Sequence, residues 1–449
     1  MFSKNKIIIF IILFAVAFRA YNIKNPFSTN GIDEGIHLLQ ARMISEGYNY
    51  YKDLQGDQAP LAILTFSIFR GDVIVCRYLS FFLFIISLFF LYQLSRKFGN
   101  NVALIAVLIA SLDITLLRES RLASLDLFSA ALLSIASYFY VEYEDKNSTI
   151  FLLISGVFFS LSILSKMIPI FLIIFMFIRL LFARSIKHAI IFFGGVLFPL
   201  LILFSIFTPY ELIEGMVLRQ THRGIDLYSK LSVLVFIASC FIYLAAIKKW
   251  NLKDKRIYYI MAWLLCILIP LLLQGRTFQH HFVYISYPLS ILAAIAVSEK
   301  EVFKKRVLPL FVIVNLFLAI FFISTAPKDV AYDVAEEIEE ITKKNDIVVS
   351  GRPLVNILAN RPAAPNLTNL AKYHYPKTEL EDIIYWLEKN ETKAIILYYH
   401  LYEIEGLKEY LNRSTNWYLY KRIEGRGQLL FEGISLQFSR DVYEIYVKR

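Results

Sequence analysis

Long apolar runs recur through the first three quarters of the chain, with short polar stretches between them. A helix of about 20 apolar residues crosses the hydrocarbon layer of a membrane. The pattern therefore predicts a polytopic α-helical membrane protein with about eleven transmembrane helices. The predicted spans are 6–22, 73–95, 101–118, 122–141, 149–165, 167–183, 188–208, 231–247, 257–273, 281–298 and 307–325.

The pattern changes after the last span. From Asp329 the apolar runs shorten and charged residues become frequent, and the spacing of apolar residues over Asp329–Lys344 is that of an amphipathic helix. We therefore predict two domains: a transmembrane domain, 1–326, and a small soluble α/β domain, 327–449. Within the second domain we expect strands at 347–350, 394–399, 417–422 and 442–447, and helices at 378–389 and 403–411.

Composition agrees with a membrane protein, because 57% of the 449 residues are hydrophobic and one soluble core could not bury them all. The formal net charge is +10, but the basic residues form short clusters between apolar runs. Such clusters are typical of cytoplasmic loops that contact anionic lipid head groups, so we expect no nucleic-acid partner. The richest clusters are 96–97, 184–187, 248–256 and 304–306.

Placing these clusters in the cytoplasm puts the long loop 23–72 and the whole tail on the outer side. The protein is then a multi-pass cell-membrane protein with an extracytoplasmic C-terminal domain. The outer loop contains Asn30-Gly-Ile-Asp33-Glu34-Gly-Ile-His37. Residues 35–45 read as a short helix, and we expect its apolar side chains to lie on lipid and hold the acidic pair at a fixed depth.

Further ionisable residues lie at the outer ends of the spans, where their burial is costly and suggests function. Asp126 lies inside a predicted span, and Lys166 separates two of them. A structural ion pair would also explain Asp126. Lys166 would also be explained if its side chain extends to the membrane surface. Carboxylates facing cations at one membrane surface suit group transfer from a lipid phosphate: a carboxylate deprotonates an acceptor hydroxyl while cations stabilise the departing phosphate.

These residues resemble the motifs of a known family. Asp33-Glu34, Arg121-Leu-Ala-Ser-Leu-Asp126, Leu164-Ser-Lys166 and the segment from Arg276 through His281 and Tyr284 to Pro288 are similar, in that order, to elements of GT-C fold glycosyltransferases. The group includes protein O-mannosyltransferases and the aminoarabinose transferases of lipid A. Its members use a polyprenyl-phosphate sugar donor.

The resemblance implies catalytic roles for Asp33, Glu34 and Asp126. It implies substrate-binding roles for His37, Gln58, Arg121, Lys166, Arg276, His281 and Tyr284. Two departures stand out, since the family often has Lys-Pro-Pro where this chain has Gln58-Ala-Pro, and a glycine where it has Met167. Asp33 and Asp126 could share a divalent cation, although no metal motif requires one and no other cofactor is expected.

The main hypothesis is therefore an inverting membrane glycosyltransferase that moves one hexose or pentose from a polyprenyl-phosphate donor to an acceptor on the outer face. The acceptor is a lipid, a glycan or a protein, and the sequence does not choose among them. The alternative is a lipid-linked glycan transporter or flippase, whose charges should line a path through the bilayer. A third class is a receptor or assembly protein that acts through its exported tail.

Overall fold

The computed structural model describes residues 4–28, 32–221, 225–370, 377–432 and 435–449. The described part contains twenty α-helices and one four-stranded sheet. The helices are α1 (Lys4–Ala20), α2 (Asp33–Ser45), α3 (Leu61–Ile68), α4 (Val73–Ser95), α5 (Asn100–Leu112), α6 (Ile114–Glu119), α7 (Leu125–Lys146), α8 (Thr149–Ser165), α9 (Ile170–Ala183), α10 (Ile186–Leu203), α11 (Pro209–Ile213), α12 (Arg219–Thr221), α13 (Ser232–Ser239), α14 (Lys255–Leu273), α15 (Val283–Glu299), α16 (Leu308–Ser324), α17 (Val330–Ile341), α18 (Pro353–Leu358), α19 (Leu380–Glu388) and α20 (Leu407–Arg413). The strands are β1 (Ile347–Ser350), β2 (Thr392–Leu397), β3 (Trp417–Glu432) and β4 (Ser435–Lys448).

Apolar helices occupy all eleven predicted spans, so the chain is a multi-pass membrane protein. Within the described ranges, six helical segments are long and apolar enough to cross a membrane, and those built on α5, α8, α9 and α13 are shorter. The first predicted span corresponds to α1.

Two predicted spans are interrupted. Asp113 ends α5, and its carboxylate accepts hydrogen bonds from the amides of Thr115 (2.7 Å) and Leu116 (3.0 Å), which caps the new helix α6. The span at 231–247 breaks at Cys240 and continues as a short 3₁₀ helix. The sequence pattern did not reveal either break, because both halves of each span are apolar.

Helix α7 connects two charged regions of the membrane domain. At its C-terminal end, Glu144 pairs with Arg179 (2.5 Å) and Arg184 (2.6 Å), and Asp145 pairs with Lys97 (3.1 Å). Two of the predicted basic clusters therefore lie on one face of the domain. Asp126 lies at the other end of α7, about 30 Å away at 1.5 Å per residue.

The C-terminal sheet has the order β1-β2-β4-β3, with β1 and β2 parallel and the other pairs antiparallel. The strands β3 and β4 form a hairpin much longer than the two strands predicted. The hairpin extends from the soluble sheet to the membrane domain, where Leu429 packs with Phe27 and Ile323. The tail is thus attached to the membrane helices.

A buried ion cluster joins the elements of this domain. Arg352 donates to Asp329 (2.6 Å) and Asp441 (3.1 Å), and also to the Tyr443 hydroxyl. Burial alone would lower the pKa of the Arg352 guanidinium, but the charges of Asp329 and its neighbours raise that pKa well above its usual range. The start of the tail is therefore tied to β4 and to the loop after β1.

The predicted lipid contacts of helix α2 are wrong. Of the five apolar side chains expected on lipid, Ile44 is half-buried, whereas the other four are 0–3% exposed and lie inside the protein, since α3 and α18 cover them. Helical periodicity identifies an apolar face but does not say whether lipid or another domain covers it. The residues concerned are Ile36, Leu39, Ala41 and Met43.

Candidate active site

The acidic pair of the first outer loop opens helix α2, where negative charge is favoured by the helix dipole. Asp33 is half-buried, whereas Glu34 is buried and occupied: its carboxylate accepts two hydrogen bonds from Arg77 (2.8 and 2.7 Å) and one from the amide of Ala123 (2.9 Å). Glu34 thus ties α2 to α4 and to the loop before α7. Asn30 and Gly31 of the same motif lie outside the described residues.

Arg77 is a residue that the sequence analysis missed. Besides holding Glu34, its guanidinium donates to the carbonyls of Ile23 (3.0 Å) and Lys24 (2.8 Å), and the side chain is buried. One signal was available, because an arginine one turn inside an apolar span is costly and needs a partner.

A second carboxylate lies at the start of α7. Asp126 Oδ2 is 2.6 Å from Lys166 Nζ and 4.0 Å from His280 Nε2. Lys166 follows the last residue of α8, at the break that Pro169 completes before α9. The buried Tyr284 hydroxyl lies beside the side chains of Asp126 and Ser129. Asp126 therefore has a lysine, a histidine and a tyrosine next to it.

More charged groups surround this pair. Glu119 is buried and binds Arg118 (2.8 Å) and the Ser124 hydroxyl (2.5 Å). Asp33 and Glu119 are close enough to Asp126 for their charges to interact. Both acidic elements singled out in the sequence therefore belong to one cluster.

The histidines and Tyr284 complete this cluster. His280 lies within electrostatic range of His281, Lys166, Arg118 and His37. The structure thus gathers six of the ten predicted site residues, Asp126 included, into one cluster that His280 connects. They are Asp33, His37, Asp126, Lys166, His281 and Tyr284.

Arg121 lies apart from the Asp126 carboxylate. Its guanidinium donates to the backbone carbonyls of Phe18, Arg19, Tyr21 and Asn22 at 2.8–3.1 Å. These carbonyls belong to the C-terminal end of α1, where helices leave such groups without intrahelical partners. The side chain therefore fixes α1 beside the outer loops.

Gln58 lies at the end of the first outer loop, half-buried. Its backbone N–H donates to the Tyr50 hydroxyl (3.3 Å), and its backbone carbonyl accepts from the Tyr51 hydroxyl (3.1 Å). Arg219 of α12 donates to the neighbouring Gly56 carbonyl (2.9 Å), which places a cation beside the segment where the family has its lysine.

Arg276 is part of the loop 274–278 that leads into the histidine pair. The Oγ of Ser232 in α13 donates to the carbonyl of the next residue, Thr277, at 2.7 Å and so holds this loop. Within the described ranges, no group of three or more histidine, cysteine, aspartate or glutamate side chains is arranged as a metal site.

One protein-family profile matches part of the chain. The family is described as dolichyl-phosphate-mannose-protein mannosyltransferase, and the match covers residues 59–210. This range includes Arg77, Arg121, Asp126 and Lys166. No curated protein matches the chain.

The fold is similar to that of solved membrane enzymes over almost the entire chain. ArnT from Cupriavidus metallidurans in the apo state aligns with a TM-score of 0.68 and 11% identity, covering 98% of both chains. The same protein bound to undecaprenyl phosphate aligns with a TM-score of 0.69 and 12% identity, covering 98% of this chain and 97% of that one. The oligosaccharyltransferase of Archaeoglobus fulgidus, in complex with Zn and sulfate, aligns with a TM-score of 0.53 and 14% identity, covering 97% of this chain and 72% of that one. The predicted GT-C-like fold is confirmed.

Proposed function

We infer that this chain is a GT-C membrane glycosyltransferase that transfers one sugar, with inversion, from a polyprenyl-phosphate donor. The observation that carries this inference is the Asp126 cluster, in which carboxylates and cations meet at one end of the membrane domain. The mannosyltransferase profile and the ArnT-like fold support the same reaction class. They favour it over the flippase alternative.

In the proposed step, an acceptor hydroxyl attacks the anomeric carbon of the donor sugar. A new glycosidic C–O bond forms, and the bond between that carbon and the phosphate oxygen breaks, with its electron pair leaving on the phosphate. Asp33 takes the hydroxyl proton as general base. Asp33 suits this role because it is half-buried at the start of α2 and lies within electrostatic range of Asp126. Its neighbour Glu34 is buried and holds Arg77.

Cations stabilise the charge that develops on the departing phosphate. We assign this role to Lys166 and Arg276, with His281, His37, Gln58 and Tyr284 as further contacts to donor or acceptor. Lys166 is paired with Asp126, so a donor phosphate would either replace that carboxylate or share the lysine with it. Asp126 then holds the lysine in place before the donor binds.

We assign Glu34 and Arg121 to positioning instead of direct contact with substrate. Both are bound to protein partners on several sides, and each fixes a helix end beside the site. A divalent cation between Asp33 and Asp126 stays a prediction, and transfer assays with and without EDTA test it.

We also propose that residues 1–326 form the catalytic membrane domain and that 327–449 form a domain outside the cytoplasm. The acceptor is then a lipid, a glycan or a protein on the outer face. This orientation is tested in intact cells. Cysteines introduced into residues 327–449 should be labelled by a membrane-impermeant reagent.

The reaction itself is tested with purified protein in liposomes. A panel of labelled polyprenyl-phosphate sugars is offered together with membrane extract as acceptor, and labelled product is separated from donor. We expect one donor to yield product whose anomeric configuration, read by NMR, is opposite to that of the donor. Movement of the donor between leaflets without transfer would support the flippase instead.

A further inference from the structure

The C-terminal domain contacts the first outer loop on both sides of Asp33. Before Asp33, Leu429 of the β3–β4 hairpin forms a parallel bridge with Ser28. The Leu429 amide also donates to the Phe27 carbonyl at 3.1 Å. The hairpin of the soluble domain is therefore bonded to the backbone five residues ahead of the proposed base.

The second contact follows Asp33 by two residues. A Cβ atom added at Gly35 would lie 2.5 Å from the amide nitrogen of Leu354 and 3.0 Å from its Cβ. The nearest atom belongs to the backbone of α18, so it cannot turn away as a flexible side chain would. Gly35 thus permits direct backbone contact between α2 and α18.

A third contact lies further along the same loop. The Thr368 hydroxyl accepts a hydrogen bond from Gln40 Nε2 at 3.4 Å and lies 3.3 Å from the carbonyl of Leu54, to which it donates. Beneath it, Leu354 of the tail and Leu38 of α2 are part of one buried apolar cluster. The tail and the loop therefore share a common core.

From these contacts we propose that the C-terminal domain positions Asp33, with Leu354 and Leu429 as positioning residues on either side of it. The inference rests on the proposed function, in which Asp33 is the general base. The tail then sets the rate of the chemical step in addition to any part it has in choosing the acceptor. Binding of the donor phosphate is separate, because we assign it to Lys166 and Arg276, which lie outside this loop.

The size of the effect follows from the Gly35 contact. In Gly35→Ala, the new Cβ must retreat from 2.5 Å to an ordinary contact of 3.4 Å, a shift of 0.9 Å between α2 and α18. A misplacement of about 1 Å at a reacting group can lower the rate about 100-fold. We therefore expect Gly35→Ala to lower kcat by about that factor while the KM for donor stays within about threefold.

The experiment compares wild type, Gly35→Ala and the matched control Gly194→Ala in liposomes. Gly194 lies in α10 with no neighbouring atom within 4 Å of an added Cβ. Transfer rates are divided by the number of sites that bind a radiolabelled polyprenyl phosphate, so that unfolded protein is not counted. Simple destabilisation lowers the number of sites but leaves the rate per site unchanged.

A milder pair of variants keeps the test decisive if Gly35→Ala fails to fold. Thr368→Val removes the bridge from Gln40 to Leu54, and Thr325→Val is its control in a half-buried position at the end of α16. We expect a several-fold lower kcat per site for Thr368→Val alone, because the first outer loop loses only one of its three contacts with the tail. Wild-type kcat per site in every folded variant would overturn the positioning role, whereas absence of transfer by the wild-type protein would overturn the proposed function itself.

Discussion

We predict that, within the membrane domain, the ion pair between Arg77 and Glu34 contributes most to holding the first outer loop in place at Asp33. Their side chains are 1% and 6% exposed, and two hydrogen bonds of 2.8 and 2.7 Å join them. Removing one partner of such a pair leaves a buried charge without compensation, which costs about 3–5 kcal/mol. We expect this loss in both Arg77→Met and Glu34→Gln.

The thermal midpoint of purified protein reports this loss, and a shift on the order of 10 °C is expected. The double variant removes both charges, so it should be more stable than the sum of the single losses predicts, with a coupling of about 1–3 kcal/mol. Some loss remains in the double variant, because the carbonyls of Ile23 and Lys24 lose the guanidinium that donated to them.

A matched control separates stability from catalysis. Arg179→Met breaks an ion pair with Glu144 at the opposite end of α7, where no proposed site residue lies. It should also lower the thermal midpoint, yet leave the transfer rate per folded molecule unchanged, whereas Arg77→Met should lower both. If each single variant lost less than about 1 kcal/mol of unfolding free energy, or if the losses were fully additive in the double variant, the pair would not hold the first outer loop.

Three other substitutions test separate parts of the account. Lys166→Met should raise the donor KM at least about tenfold, since it removes one charge-assisted hydrogen bond to phosphate, and an unchanged KM would remove Lys166 from the phosphate site. Gln58→Lys restores the lysine typical of the family and should lower the donor KM several-fold at low ionic strength, and no change would mean that the phosphate does not pass near Gln58. Arg121→Met leaves four carbonyls at the end of α1 without their donor and should lower the free energy of unfolding by about 3 kcal/mol. The measurement is the thermal midpoint, which should fall, and an unaltered midpoint would contradict the role of Arg121 as an anchor.

The apolar pattern identified the spans well because membrane crossing imposes a minimum length on each helix. It did not reveal the breaks at Asp113 and Cys240, since capping and helix ends depend on single side chains and on tertiary contacts. The length of the β3–β4 hairpin was missed for a related reason. Leu429 packs on the membrane domain instead of facing solvent, so this part of β3 does not follow the alternation of a strand with one solvent face.

The site was predicted in part. Charged residues at the outer span ends pointed to Asp126 and Lys166, and the structure pairs them at 2.6 Å. The partner of Glu34 was not found, because a contact between residues 43 positions apart leaves no periodic signal in one sequence. The same limit applies to α18, whose position against Gly35 depends on how two domains pack.

The central claim is that the Asp33 carboxylate removes the acceptor proton during sugar transfer. The most direct measurement is single-turnover transfer from the active polyprenyl-phosphate sugar in liposomes, comparing wild type with Asp33→Asn and with Asp53→Asn. Asp53 is a matched control, because it is an exposed aspartate of the same outer loop. We predict that Asp33→Asn binds donor normally but transfers at least about 100-fold more slowly, while Asp53→Asn behaves as wild type. Transfer by folded Asp33→Asn at the wild-type rate would contradict the claim.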